Sequence, residues 1–192
     1  MKPFIVGIGG TTRDGSSSER LTAAVLAATE RLGGGSMMFG GAKLAELPHF
    51  APESTVRTAA QRELIDAVRA ADGLVIGTPG YHGGISGLVK NAIDLLEDTR
   101  QDTRVYFDGL PVGLVVSAAG WQALGHTLGA MRAVVAAMRG WATPIGITVN
   151  TAVQTAFDRE GRIADADILR AVEGQAAQIM HLARRHAHDP AA

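Results

Sequence analysis

The sequence predicts an α/β fold: a doubly wound, five-stranded parallel sheet in the order 2-1-3-4-5, with helices on both faces. Three observations carry that prediction. Short apolar runs alternate with longer segments whose apolar residues recur at helical spacing. The runs are continuously apolar, as expected of parallel strands covered on both sides. Three of them end in loops of small residues, and the carboxyl ends of strands are where such sheets bind ligands.

The elements follow in order. Phe4 to Ile8 is a buried strand that stops at Gly9-Gly10. A Thr/Ser/Gly-rich loop, Thr11 to Ser18, leads into a helix marked by Leu21, Ala24, Val25, Ala28 and Leu32 and closed by Gly33-Gly34-Gly35. Ser36 to Phe39 is a second strand, and Leu44 to Pro52 reads as loop because Pro48 and Pro52 break it. Leu64, Ile65, Val68 and Ala71 mark the second helix. Gly73 to Gly77 is the third strand, running into a loop from Thr78 to Gly84. The third helix carries Leu88, Ala92, Leu95 and Leu96 on one face and Val89 and Ile93 on an adjoining one. That stripe is wider than a sheet needs, so this helix is expected in a subunit interface. Val112 to Val116 is the fourth strand, ending at Ser117-Ala118-Ala119-Gly120. Leu124, Leu128, Met131, Val135 and Met138 stripe the fourth helix. Pro144 to Val149 is the fifth strand, and Leu169, Val172, Ala176, Ile179 and Ala183 mark the last helix.

No internal repeat or linker divides the chain, so residues 1–185 are expected to form one domain, with 186–192 a frayed tail. Hydrophobic residues make up 46% and charged residues 19%, ordinary values for a packed domain. The net charge is −1 with no basic cluster, which argues against nucleic acid as a partner. Without cysteine there is no disulfide, thiolate metal site, iron–sulfur cluster or cysteine nucleophile, so any redox chemistry needs a bound cofactor. The N-terminal apolar run is too short for a signal peptide or a membrane span, and a cytoplasmic location with no membrane partner is expected.

The first loop opens a helix, where backbone N–H groups attract anions. It holds five hydroxyls and Arg13. Gly10 and Gly15 have P-loop spacing, but Ser16 stands where the required Lys would be. Gly7-Ile8-Gly9 begins a dinucleotide fingerprint, but Thr12 replaces its last Gly. A monophosphate held by hydroxyls, backbone N–H groups and Arg13 fits what remains. A plain serine-capped helix fits too. The second loop offers Pro79, Tyr81 and three glycines, able to present backbone groups to the polar edge of a flat heterocycle with an aromatic beside it. A tight strand-to-helix turn packed by Tyr81 is the plainer alternative.

The stretch Gly77-Thr78-Pro79-Gly80-Tyr81-His82-Gly83-Gly84-Ile85-Ser86-Gly87-Leu88-Val89-Lys90-Asn91-Ala92-Ile93-Asp94-Leu95-Leu96 closely resembles the signature of the NADPH-dependent FMN reductase family. The first loop is similar to that family's phosphate loop. The resemblance implies a flavodoxin-like fold and non-covalently bound FMN, reduced by NADPH or NADH. It also implies a homodimer or homotetramer. Carried over, it places the FMN phosphate on Thr11, Arg13, Ser16 and Ser18. Pro79, Gly80, Tyr81, His82 and Gly83 would border the isoalloxazine, and Ser117 and Gly120 would lie in a third flavin loop. Many members carry Glu where Gly80 stands, and often Asn or a small residue in place of His82. Gly80 is therefore expected to leave the ring face open to a second ring.

The remaining candidates are weighed briefly. Trp121 could line the pocket or pack at a helix start, Trp141 reads as structural, and His126 reads as a surface residue or a pocket border. His181, His186 and His188 lack a carboxylate pattern for a metal site. Lys90 and Asp94, four apart, suit a surface ion pair. No Gly-x-Ser-x-Gly elbow marks a hydrolase. The expected activity is transfer of hydride from a nicotinamide nucleotide to bound flavin, and on to an acceptor such as free FMN. Reduced FMN could then pass to a flavin-dependent monooxygenase. The alternatives are a quinone or azo-compound reductase with tightly bound FMN, or an electron-carrier module, which the near-neutral charge disfavours.

Overall fold

The computed structural model describes residues 1–188. Five strands, β1 (Phe4–Gly9), β2 (Gly35–Phe39), β3 (Gly73–Tyr81), β5 (Pro111–Ala118) and β6 (Trp141–Asn150), form a parallel sheet in the order β2-β1-β3-β5-β6. A sixth, β4 (Gly84–Ile85), pairs antiparallel with the end of β3. The expected five strands in the order 2-1-3-4-5 are therefore corrected. The stretch from Thr78 to Gly84 reads as loop because of its Pro and three glycines. The chain instead extends β3 to Tyr81, turns at His82-Gly83 and returns as β4. Both turn residues have positive φ, 53° and 78°, as a type I′ hairpin requires.

Alternation along the strands divides the core. Val6, Ile8, Leu74, Ile76, Leu114 and Val116 face one side, beneath α2 (Gly41–Ala45), α3 (Ala59–Ala70), α4 (Gly87–Asp94) and α5 (Trp121–Ala137). Ile5, Val75 and Val115 face the other, beneath α1 (Ser17–Arg31) and α6 (Ala166–His188). At Gly77 a Cβ would lie 2.0 Å from Thr22 Oγ1, so only glycine lets α1 settle this closely on β3. That contact fixes the start of α1 at the carboxyl edge of the sheet.

Local sequence explains the ends of several elements. Thr58 and Gln61 form a capping box at the start of α3. The Arg104 guanidinium donates to the carbonyls of Val68, Arg69 and Ala71 at the other end of that helix, and burial lowers its pKa from the ordinary arginine value. Between β5 and β6 the register slips beside Gly113. There the buried Gln175 amide donates to Leu114 O at 3.0 Å and Ile145 O at 2.8 Å, filling the interrupted ladder from the side.

Three further expectations change. Leu44 and Ala45, at the start of the stretch Leu44 to Pro52 read as loop, belong to the helical turn α2, because Leu44 drops into the core. Val89 and Ile93 give α4 no spare face: they are 0% and 4% exposed, enclosed by the chain's own core. Helix α6 continues through His188, and the rest of the expected tail, 189–192, lies outside the described residues. Lys90 and Asp94 do pair, at 2.6 Å. No helix among the described residues is long and apolar enough to cross a membrane.

Candidate functional site

At the carboxyl edge of the sheet, the ends of β1, β3 and β5 enclose a cleft of about 470 Å³, a size ordinary for small-molecule sites. Of the residues expected to form a site, Thr11, Arg13, Ser16, Ser18, Pro79, Gly80, Tyr81, His82 and Ser117 line it together. Gly83 sits in the hairpin turn and Gly120 at the N-cap of α5, both outside the lining. The cleft also takes in Thr12, Ser17, Ala118, Ala119 and Thr151. The first four adjoin residues already singled out. Thr151 has no motif around it; the available signal is that a fifth parallel strand must end at the same edge.

The first loop forms the anion-attracting wall. Ser16 is the N-cap of α1, yet its side chain makes no capping hydrogen bond. The first intrahelical bond, Arg20 N–H to Ser16 O, comes only at the end of that turn. The Ser16 and Ser18 hydroxyls stand 3.5 Å apart and both residues are buried, 2% and 0% exposed. Thr11 shapes the loop: its Oγ1 accepts the Arg13 N–H at 3.1 Å and donates to Arg13 O. Arg13 is the only Lys or Arg in the lining, and no carboxylate is among the lining residues. Donors, a helix dipole and a guanidinium, in a lining without a carboxylate, suit an anion, and a phosphate above all.

The hairpin forms the opposite wall and is held from behind. Thr78 Oγ1 accepts the Ser86 N–H at 3.0 Å and donates to Pro79 O at 3.0 Å. Ser86 in turn caps α4 by accepting the Val89 N–H. Thr127 of α5 reaches Gly84 O at 3.5 Å. Gly80 lines the cleft where β3 passes close to α5. A Cβ there would point at α5, 3.0 Å from Thr127 Oγ1 and 3.2 Å from Ala118 Cβ. Tyr81 and His82 stand exposed at the mouth. Trp121 begins α5 outside the lining, 62% exposed, and His126 lies beside Gly83. Trp141, read as structural, stands exposed at the start of β6. A larger cavity of about 810 Å³ lies along α4 and α5 and shares no lining residue with this cleft.

Residues 3–154 match the sequence model described as NADPH-dependent FMN reductase. The match spans most of the chain and takes in every loop of the cleft. The chain belongs to the NADPH-dependent FMN reductase family. Among relatives, an FMN-dependent NADPH-azoreductase of Staphylococcus aureus is 36% identical over 89 residues, 46% of this chain and 44% of that protein. The chain thus aligns with less than half the length of that relative. Among solved structures, an oxidoreductase from Corynebacterium diphtheriae superposes with a TM-score of 0.72 at 21% identity, covering 96% of this chain and 98% of the other. FerB from Paracoccus denitrificans, a flavoenzyme NAD(P)H:acceptor oxidoreductase, gives 0.73 at 17% identity, covering 97% and 99%. At such identities these two structures speak to the fold of this family member.

Proposed function

We propose that this chain is an NAD(P)H-dependent flavin oxidoreductase that holds FMN in the strand-end cleft. One observation carries the reading: two buried serine hydroxyls at an uncapped helix start, in a cleft whose lining includes Arg13 and no carboxylate, in a member of an FMN reductase family. Those groups fit a phosphomonoester, which FMN has and riboflavin lacks. Ser16, Ser18, the first-turn amides of α1 and Arg13 would hold the phosphate, with Thr11 setting the loop. Pro79, Gly80, Tyr81 and His82 would border the ring system through their backbone, and Ser117 would close the far side. Gly83 and Gly120 would act as the turn and helix cap behind those walls. When bound, FMN supplies the hydride chemistry; the protein's part is to bind, orient and shield.

The acceptor is proposed to be free FMN, with reduced FMN released to a flavin-dependent monooxygenase. The Staphylococcus aureus relative favours a second reading, in which FMN stays bound and an azo compound or quinone is reduced. Residues 1–185 are proposed to act as one flavodoxin-like unit, in the cytoplasm and as a homodimer or homotetramer. Two measurements test the proposal. Flavin released by heating should chromatograph as FMN; FAD, or no uptake on reconstitution, counts against it. Steady-state oxidation of NADH and NADPH with free FMN, a quinone and an azo dye then separates the two readings. Turnover with none of the three acceptors would remove the enzymatic claim.

A further inference from the structure

We infer that Glu19 is a positioning residue for the phosphate seat: held in a niche of glycines outside the cleft lining, it keeps the start of α1 open to an anion. This rests on the reading of the cleft proposed above and adds the feature that sets how tightly its α1 wall holds a phosphate.

The start of α1, Ser16-Ser17-Ser18-Glu19, has the Ser-x-x-Glu spacing of a capping box. In such a box the serine hydroxyl accepts the N–H three residues on, and the acidic side chain accepts the serine N–H in return. The same chain closes one at α3, where Thr58 Oγ1 accepts the Gln61 N–H at 3.2 Å and Gln61 Oε1 accepts the Thr58 N–H at 2.9 Å. At α1 the box stands open. The Ser16 side chain caps nothing, and the Glu19 carboxylate makes no hydrogen bond or ion pair among the described residues.

Glu19 is half-buried, and its carboxylate lies between the ends of β1 and β2. A Cβ on Gly40 would stand 2.3 Å from Glu19 Oε1, and one on Gly10 would stand 3.2 Å from Glu19 Oε2. Gly40 has φ −78° and ψ 179°, extended backbone that any residue adopts, and the three heavy atoms nearest its Cβ position all belong to Glu19. Glycine at position 40 therefore serves the carboxylate rather than its own backbone. Gly41 presses α2 against the first loop, its Cβ position only 1.8 Å from Thr11 O, which locks together the two loops that form the niche. The two places open to the carboxylate have opposite consequences for a phosphate. In the box, Ser16 Oγ would be spent on the Glu19 N–H, and a negative charge would occupy the helix start that favours the anion. In the niche, the Ser16 hydroxyl stays available and no carboxylate enters the cleft lining.

Gly40→Ala tests the assignment, since a methyl group there meets only the far end of a flexible side chain. The flavin-free full chain is titrated with FMN and with riboflavin, and binding is read from flavin fluorescence. Gly40→Ala should weaken FMN binding about fivefold or more and leave riboflavin nearly unchanged. In the same variant without flavin, the amides of Ser16 and Glu19 should exchange more slowly than in the wild type, as the box closes. Glu19→Ala should bind FMN at least as well as the wild type does, and adding Gly40→Ala to it should change nothing further. If Gly40→Ala does not fold, Glu19→Asp takes its place: one methylene short of the niche and with its charge kept, it should cause the same selective loss of FMN. A loss shared equally by riboflavin overturns the inference, as does a loss from Gly40→Ala that persists without Glu19. So does weaker FMN binding by Glu19→Ala, or FMN affinity and amide exchange indifferent to the displacing variant. A wild type that binds FMN no better than riboflavin would defeat the phosphate reading itself, before any variant is made.

Discussion

Arg13 carries the sharpest expectation among single residues. It is exposed and the only Lys or Arg lining the cleft. Removing a charge-assisted donor to a phosphate costs about 1.5–3 kcal/mol, so Arg13→Ala should weaken FMN binding roughly tenfold to a hundredfold. Riboflavin should be nearly indifferent to the change; equal losses measured by fluorescence quenching for both ligands would move the phosphate elsewhere. His82 makes a second case. It holds φ 53° in the hairpin turn, where a β-branched residue is most strained. His82→Val should cost about 1–2 kcal/mol in urea unfolding, whereas His82→Gly should cost little or nothing. The residue types at the site were legible because small residues and hydroxyls cluster in the chain as they cluster in space. Thr151 and the direction in which Gly80 points were not, since each depends on where a distant element ends or packs.

Among the elements, α4 shows how a periodic pattern misleads. Apolar residues at both 88/92/95/96 and 89/93 look like a helix with a face to spare. A helix enclosed on several sides by its own domain produces the same pattern. Ile93→Lys should therefore cost about 3 kcal/mol or more of stability, through a charge buried among apolar side chains. Chemical denaturation checks this, and a variant of unchanged stability that merely dissociates would restore the earlier expectation. At the far end of α3, Arg104 donates to three carbonyls, one of which, Val68 O, also accepts the Ala71 N–H. Arg104→Met should cost about 1.5–3 kcal/mol, with hydrogen exchange rising first around residues 66–72. The hairpin was hidden from sequence reading by its own composition. Gly83 and Gly84 look like loop, yet the first supplies the positive φ that a tight turn needs and the second pairs with Tyr81.

For the whole molecule, the alternation of apolar runs and helical stripes was enough to place β1, β3 and β5 side by side and to bring their loops to one edge. What alternation cannot show is a two-residue strand that belongs to a loop, or the direction a helix face takes once other helices have claimed the core. The uncapped start of α1 bears on the molecule as a whole. A serine at the N-cap that withholds its side chain leaves the helix short of the stabilisation such a cap provides, typically about 1 kcal/mol. Whatever anion seats there finishes the helix as it binds. Occupancy and folding are then linked: at a hundred times the dissociation constant, ligand adds about 2.7 kcal/mol to the folded state. For a chain of this size that is roughly a 5–10 °C rise in melting temperature. With a phosphate seated as proposed, the thermal midpoint should rise with the concentration of free phosphate-bearing ligand, and the amides of residues 17–19 should be the first to slow in exchange as that ligand is added.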